Sequence, residues 1–450
     1  MEERGPYLYW FNPACDLTAG RGATFVPRMA VRDLADDLAM LPALLAAAGD
    51  LVVVPERPAP AFLQALQMAG LPVPELVVWE PLSRPPPAEL ATRRLADLQP
   101  WGWSPDSVTA MTPLAGQLPE SVAHPSMRWH DVGRELYAKT WSAAWLADIV
   151  ADLRAREGDW ICGPEVVGSS CASETEAKRL LTAGFGGSWQ RAVVKADYGA
   201  AGGQQMIVGA ADLEEYQQRW LRRVLREAGR VVIEPWLDRK LDLSAQFEVD
   251  DDGSLRLLGV TRFLADGRGR FQGVFVHNMF GGSQPDVTHL LDDDGRDSRR
   301  LWRLFDHIGA CLHKRLPAGF RGALGIDAFV YHDTTDGALR LKPIVEVNPR
   351  FTMGRVALGL APYILASRTA IWRVLRVKDI IDGGNTNVAE WATRLRRELP
   401  LEMTGDGKQI SRGVVFTNEP ERARSFVSLV VVGDGPQVIT AAVPGMEGRS

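Results

Sequence analysis

"RGALGIDAFVYHDTTDGALRLKPIVEVNPRFTMGR", residues 321–355, reads as two β-strands, Ala323–His332 and Ala338–Asn348, joined through the tight-turn dipeptide Asp336-Gly337. With those two residues at the centre of a two-residue hairpin, cross-strand partners have numbers summing to 673. Asp327 then stands opposite Glu346, and Asn348 shares the face of Glu346 because strand side chains alternate. Like charges directly opposed destabilise a sheet. A cation between them removes the conflict, and Asp, Glu and Asn supply the hard oxygens that suit Mg²⁺. The alternative is a solvent-facing ribbon, against which stand the apolar flanking residues Leu324, Ile326, Phe329, Val345 and Val347. Pro343 cannot donate to a ladder and implies an edge or a bulge; a bulge that shifts the register by one would undo the opposition.

Composition sets wide bounds. A chain of 450 residues is long enough for two or three domains, and 46% hydrophobic with 24% charged residues is ordinary for a globular protein. A net charge of −5 gives no general attraction to nucleic acid or to an anionic membrane. Cys15, Cys162, Cys171 and Cys311 form no CxxC pair, which suits a reducing compartment. The start "MEERG" has no apolar signal core behind it, and Leu38–Gly49 is too short to span a bilayer. The expectation is a cytoplasmic protein with no membrane and no nucleic-acid partner.

Tyr7–Phe11, Asp50–Pro55 and Glu75–Glu80 read as strands separated by helical patterns, which predicts a small parallel α/β sheet at the N-terminus. Gly20-Arg21-Gly22 is no dinucleotide fingerprint, because Phe25 holds the third glycine position. Residues 83–125, rich in proline and tryptophan, read as an irregular connection, and His130–Ala155 as a long helix or helix pair. Then come an apolar strand carrying Lys195 and a small-residue loop, Gly199 to Gly203, that is no Walker loop because no GK[ST] follows. The helix Asp297–Pro317 leads back to the opening hairpin.

"EVNPR" behind a "GID" strand, with these upstream elements in this order, resembles the ATP-grasp superfamily from about Arg134 to Gly359. The resemblance implies an α/β fold: an α+β ATP-grasp core at 134–400 (nucleotide-binding part 134–235, metal-binding part 236–400). A Rossmann-like parallel-sheet domain at 1–133 precedes it, and a small β-rich extension at 401–450 follows. It implies that Asp327, Glu346 and Asn348 ligate Mg²⁺, with Mn²⁺ as the substitute, and that Lys139 and Lys195 approach the ATP phosphates. Gly199, Gly202 and Gly203 form a glycine-rich lid on this resemblance. Glu234, Pro235, Trp236 and Leu237 form the adenine hinge, and Asp242 faces the ribose or a phosphate. Arg321 and Arg350 point to the reacting acyl phosphate. Arg262 toward the phosphates, Asn12, Asp16 and Arg21 toward substrate, and the turn Thr352, Gly354, Arg355 complete the candidates.

Such enzymes join a carboxylate to an amine through an acyl phosphate, so the expected partners are small-molecule carboxylates and amines, amino acids or peptides among them. A homodimer is the expected assembly. No Ser/His or Cys/His nucleophile signature is present, in keeping with a reaction that needs none. Phosphotransfer to a hydroxyl, or nucleotide binding without turnover, are the other readings of the same motifs.

Overall fold

Four short strands, β1 (Tyr7–Trp10), β2 (Leu51–Val54), β3 (Glu75–Val78) and β4 (Asp97–Pro100), form a parallel sheet in the order β3-β2-β1-β4. They belong to a computed structural model that describes residues 5–199, 204–293 and 299–435. The fourth strand lies in the proline- and tryptophan-rich stretch expected to be irregular. It pairs with β1 from Tyr7↔Asp97 to Trp10↔Pro100, and Pro100 closes the edge strand, where its missing N–H costs no ladder bond.

β5 (Ser169–Cys171), β6 (Ala192–Ala196), β7 (Gln205–Val208) and β8 (Val231–Pro235) make a second, antiparallel sheet in the order β5-β8-β6-β7. A nine-stranded antiparallel sheet holds the rest: β9 (Asp238–Val249), β10 (Leu255–Ala265), β11 (Phe271–His277), β12 (Gly322–His332), β13 (Leu339–Asn348), β14 (Thr369–Arg376), β15 (Glu402–Met403), β16 (Ile410–Phe416) and β17 (Phe426–Gly433). Its order is β13-β12-β9-β10-β11-β14-β17-β16-β15, so the strands after Leu401 extend the large sheet. The fold is mixed α/β, with a parallel sheet ahead of a large antiparallel one. Among the described residues no helix is long and apolar enough to cross a membrane.

Two cores fix the large sheet. Leu324, Ile326, Ala328 and Val330 of β12 turn toward Trp145 and Leu146 of the helix Lys139–Glu157 and Leu304 and Ile308 of the helix Arg300–His313. The odd-numbered Gly325 and Asp327 therefore share the other face. Trp372, Val430 and Phe416 pack with Tyr9, Phe11 and Val52, so the far half of the large sheet shares a core with the N-terminal sheet.

The hairpin departs from the expected turn. Asp333 N–H donates to Ala338 O at 2.8 Å, and Arg340 clamps both Asp333 and Asp336, so residues 333–338 form the loop. Near it Tyr331 faces Arg340 and Phe329 faces Lys342, two residues out of the predicted register. Between Phe329 and Asp327 the ladder breaks: Pro343, Ile344 and Val345 stand against Ala328 alone, and Asp327 then faces Glu346. The bulge at Pro343 does not undo the opposition. It shifts by two and cancels the longer turn.

The helix Met353–Leu360 meets the N-terminal segment with no room to spare. A Cβ on Gly359 would lie 2.2 Å from the Leu44 carbonyl oxygen. Gly359→Ala should therefore destabilise the chain by about 1–3 kcal/mol through backbone displacement; a thermal melt unchanged from the parent would show that this packing yields.

Candidate functional site

β12 and β13 bring the two hairpin carboxylates, both half-buried, to the odd face. Asp327 accepts from Ser244 Oγ at 2.7 Å and from Asn348 Nδ2 at 3.2 Å. Burial, then the facing Glu346, pushes the Asp327 carboxyl up to about 6, against the Ser244 hydrogen bond and the Arg350 charge. Glu346 itself is held by Lys139 Nζ at 2.6 Å, and the same ammonium donates to Gly199 O at 2.6 Å. Lys139 is the first residue of its helix, so the lysine, the edge of the glycine loop and the paired carboxylates meet at one point. Gly202 and Gly203 lie outside the described residues.

The donor set is two carboxylates and an amide oxygen. Among the described residues no three His, Cys, Asp or Glu side chains converge as a metal cluster. The opposed carboxylates fit a hard divalent cation in charge and donor type, and Lys139 supplies positive charge at Glu346. Asn348 Oδ1 accepts from Arg350 Nη2 at 2.9 Å, so its oxygen would have to turn to join such a cation.

Arg350 ties this face to the N-terminal sheet region. Its Nε donates to both Asp16 oxygens, at 2.8 and 3.0 Å. Asp16 thereby joins the site, whereas Asn12 braces the backbone of Gly102 and Arg21 pairs with Glu227 at 2.6 Å. Behind Asp327 runs a buried relay: Thr352 Oγ donates to Gln246 Oε1 at 2.6 Å, Gln246 Nε2 to Ser244 Oγ at 2.8 Å, and Ser244 Oγ to Asp327. Ser244 and Gln246 were missed by sequence reasoning; their spacing on β9 puts both on one face, and that period-two pattern was the available signal.

Lys195 is fully enclosed and ion-paired with Glu234 Oε1, while Lys342 donates to Glu234 Oε2 at 2.7 Å. Burial alone would raise the Glu234 carboxyl, but Lys195 and then Lys342 outweigh it and hold it down at about 2. Burial lowers the Lys195 ammonium despite Glu234. With Lys139, Gly168 and Val232 these three residues line a crevice of about 10 Å³. In the hinge, Trp236 N–H donates to Arg191 O at 2.9 Å, Leu237 O accepts from Arg239, and Pro235 ends β8. Asp242 accepts from Arg239 Nη1 at 3.3 Å.

Arg262 holds the carbonyls of Met279 and Gly281 at 3.1 and 2.9 Å, stapling a loop. Arg321 is not brought to the carboxylate pair. It lies just before β12, bonded to the carbonyls of Asp251 and Phe320 at 3.0 and 2.7 Å. There it borders a cleft of about 710 Å³ that also reaches Trp101, Tyr137, Arg350 and Arg355. Arg355 pairs with Glu248 at 2.7 Å, and Gly354 sits against Gln246 and Thr261.

No protein-family profile and no curated protein matches the sequence. Solved structures similar to it are ATP-grasp enzymes. N5-carboxyaminoimidazole synthetase from Staphylococcus aureus complexed with ADP is 11% identical over 97% of this chain and 96% of that one, with a TM-score of 0.49. Biotin carboxylase from Campylobacter jejuni, in its β,γ-ATP complex, is 14% identical over 97% and 89%, with a TM-score of 0.46. D-alanyl-alanine synthetase A from Vibrio cholerae O1 biovar eltor is 11% identical over 80% and 92%, with a TM-score of 0.42. At those identities and scores the likeness assigns no residue and no substrate.

The Lys195–Glu234–Lys342 set generates a stability prediction. Glu234→Gln leaves two enclosed ammoniums without their carboxylate and should cost about 3–5 kcal/mol at neutral pH. The parent's Glu234 contributes stability that is complete above its unfolded value of 4.5 and is lost as pH falls toward the folded value of about 2. That contribution is on the order of 3 kcal/mol. Urea melts should therefore show the gap between parent and variant narrowing by about 2 kcal/mol from pH 7 to pH 3, with the remainder lost only below the folded value; a constant gap would remove Glu234 as the acid-labile group.

Proposed function

We propose that this chain is an ATP-dependent ligase of the ATP-grasp type, which activates a carboxylate as an acyl phosphate and joins it to an amine. The observation that carries this reading is the meeting of Lys139, the Gly199 carbonyl and Glu346 within hydrogen-bond distance. Three segments far apart in sequence converge there, and each offers what a triphosphate needs: cations, a glycine loop and a carboxylate face for a divalent ion. On this reading 134–235 binds the nucleotide and 236–400 supplies the metal face, with Pro235–Leu237 against the adenine and Asp242 against the ribose.

In the first step a carboxylate oxygen attacks the γ-phosphorus, the bond to the bridging oxygen breaks, and ADP leaves. In the second the amine nitrogen adds to the acyl carbon, the carbon–oxygen bond to phosphate breaks, and the nitrogen loses its proton. Mg²⁺, or Mn²⁺, held by Asp327, Glu346 and Asn348, would neutralise charge on the phosphate oxygens. Lys139 and Lys195 turn from Glu346 and Glu234 to the phosphates. Arg350, next to Asn348 and bordering the large cleft, faces the acyl group as charge builds on it. The cleft is of the size that holds a small-molecule substrate, and its mixed aromatic and charged lining suits amino acids or short peptides.

Glu346→Gln tests the reading. In a screen of amino acids and small acids, the parent should release ADP and phosphate in equal amounts with a new amide, and the variant should release neither. Stability should barely change. The mutation relieves repulsion on Asp327 but removes the Lys139 ion pair, a partly exposed contact worth about 1 kcal/mol or less. Phosphate found on the substrate would make the chain a phosphotransferase, and near-parental turnover in the variant would remove the carboxylate pair from the chemistry.

A further inference from the structure

Lys342 is a deeply buried charged group that this mechanism leaves unused. It stands on β13 four positions before Glu346, and only 2% of its side chain is exposed. Its Nζ donates to Val166 O at 2.9 Å and to Glu234 Oε2 at 2.7 Å. A buried ammonium is costly unless paired and hydrogen-bonded, and its neighbours Leu341, Ile344 and Val347 are all apolar core residues. A lysine at such a position calls for a reason beyond packing.

The reason lies in how Glu234 is shared. One lysine sits on each oxygen, Lys195 from β6 and Lys342 from β13, so the two come from different sheets. The crevice they line has room for about one water molecule. A nucleotide enters only by parting these walls, and Lys195 reaches phosphate only by leaving Glu234. With Lys195 as sole partner, that departure would strand a buried carboxylate. With Lys342 in place the carboxylate keeps a counter-charge, and mutual repulsion between the two ammoniums helps to release Lys195.

We propose that Lys342 is a positioning residue for nucleotide binding: as the standing counter-ion of Glu234, it frees Lys195 for the phosphates. This rests on the nucleotide reading of the crevice given above. It differs from a purely structural role in one respect, since its effect on affinity must pass through Glu234.

Calorimetry with the non-hydrolysable analogue Mg·AMP-PNP tests it, on the parent, on Lys342→Met and on the double variant Lys342→Met/Glu234→Gln. The single variant should bind about tenfold or more weakly. The double variant should recover most of the loss, because no carboxylate is left to retain Lys195. Should Lys342→Met fail to fold, Lys342→Gln deletes the same charge while keeping a donor for Val166 O, and the same pair of measurements applies. Parental affinity in the charge-deleted variant overturns the proposal, as does a double variant no tighter than the single one. A parent that binds no Mg·AMP-PNP instead fells the nucleotide reading, and this inference with it.

Discussion

Two carboxylates set across a strand pair repel each other unless positive charge lies within reach, and the surroundings of β12 and β13 follow from that requirement. Lys139 closes on Glu346, Arg350 approaches through Asn348, and Ser244 satisfies one oxygen of Asp327. The helix that carries Lys139 must start there, the chain must pass Arg350 on leaving β13, and β9 must present Ser244 from the adjacent position. The apolar even face of β12 fixes the sheet against its helices, so the odd face cannot rotate away from the conflict. Positive charge has to come to it.

The same logic recurs on β8, in another sheet, with the signs exchanged. At Glu234 a single carboxylate holds two ammoniums, and burial makes each charge depend on the others. Both lysines expected near phosphates thus rest on carboxylates. That arrangement gives each cation its counter-charge from within the chain.

Much of this was legible from residue order alone. Strand alternation is rigid, so Asp327, Glu346 and Asn348 could be set on one face, and Lys195 could be seated on a strand beside a small-residue loop. The opposition of Asp327 and Glu346 was reached through an incorrect turn. Asp333 and Asp336 cap a longer loop around Arg340, and the irregularity at Pro343 restores the pairing; the two displacements are individually invisible in a sequence. Lys342 was not legible, because a lysine in a strand reads as a solvent-facing residue until the strand's neighbours are known. The strand Asp97–Pro100 was hidden by the prolines around it and at its end, although an edge position tolerates the one it carries. The position of Arg321 depends on which end of β12 faces the carboxylates, a matter of sheet order rather than of local pattern.

The guanidinium of Arg350 has a mechanical side. One edge of it grips Asp16, at the start of the helix Cys15–Arg21, and another grips the Asn348 side chain. Both contacts have a cationic donor, the first shared by one N–H between the two Asp16 oxygens, so the joint resists sliding. The N-terminal helix and the end of β13 are therefore geared: a shift of one by an ångström must turn the other or break the link. Arg350 itself stands on the wall of the large cleft, so whatever displaces its guanidinium from there will change both the seat of that helix and the aim of the Asn348 amide.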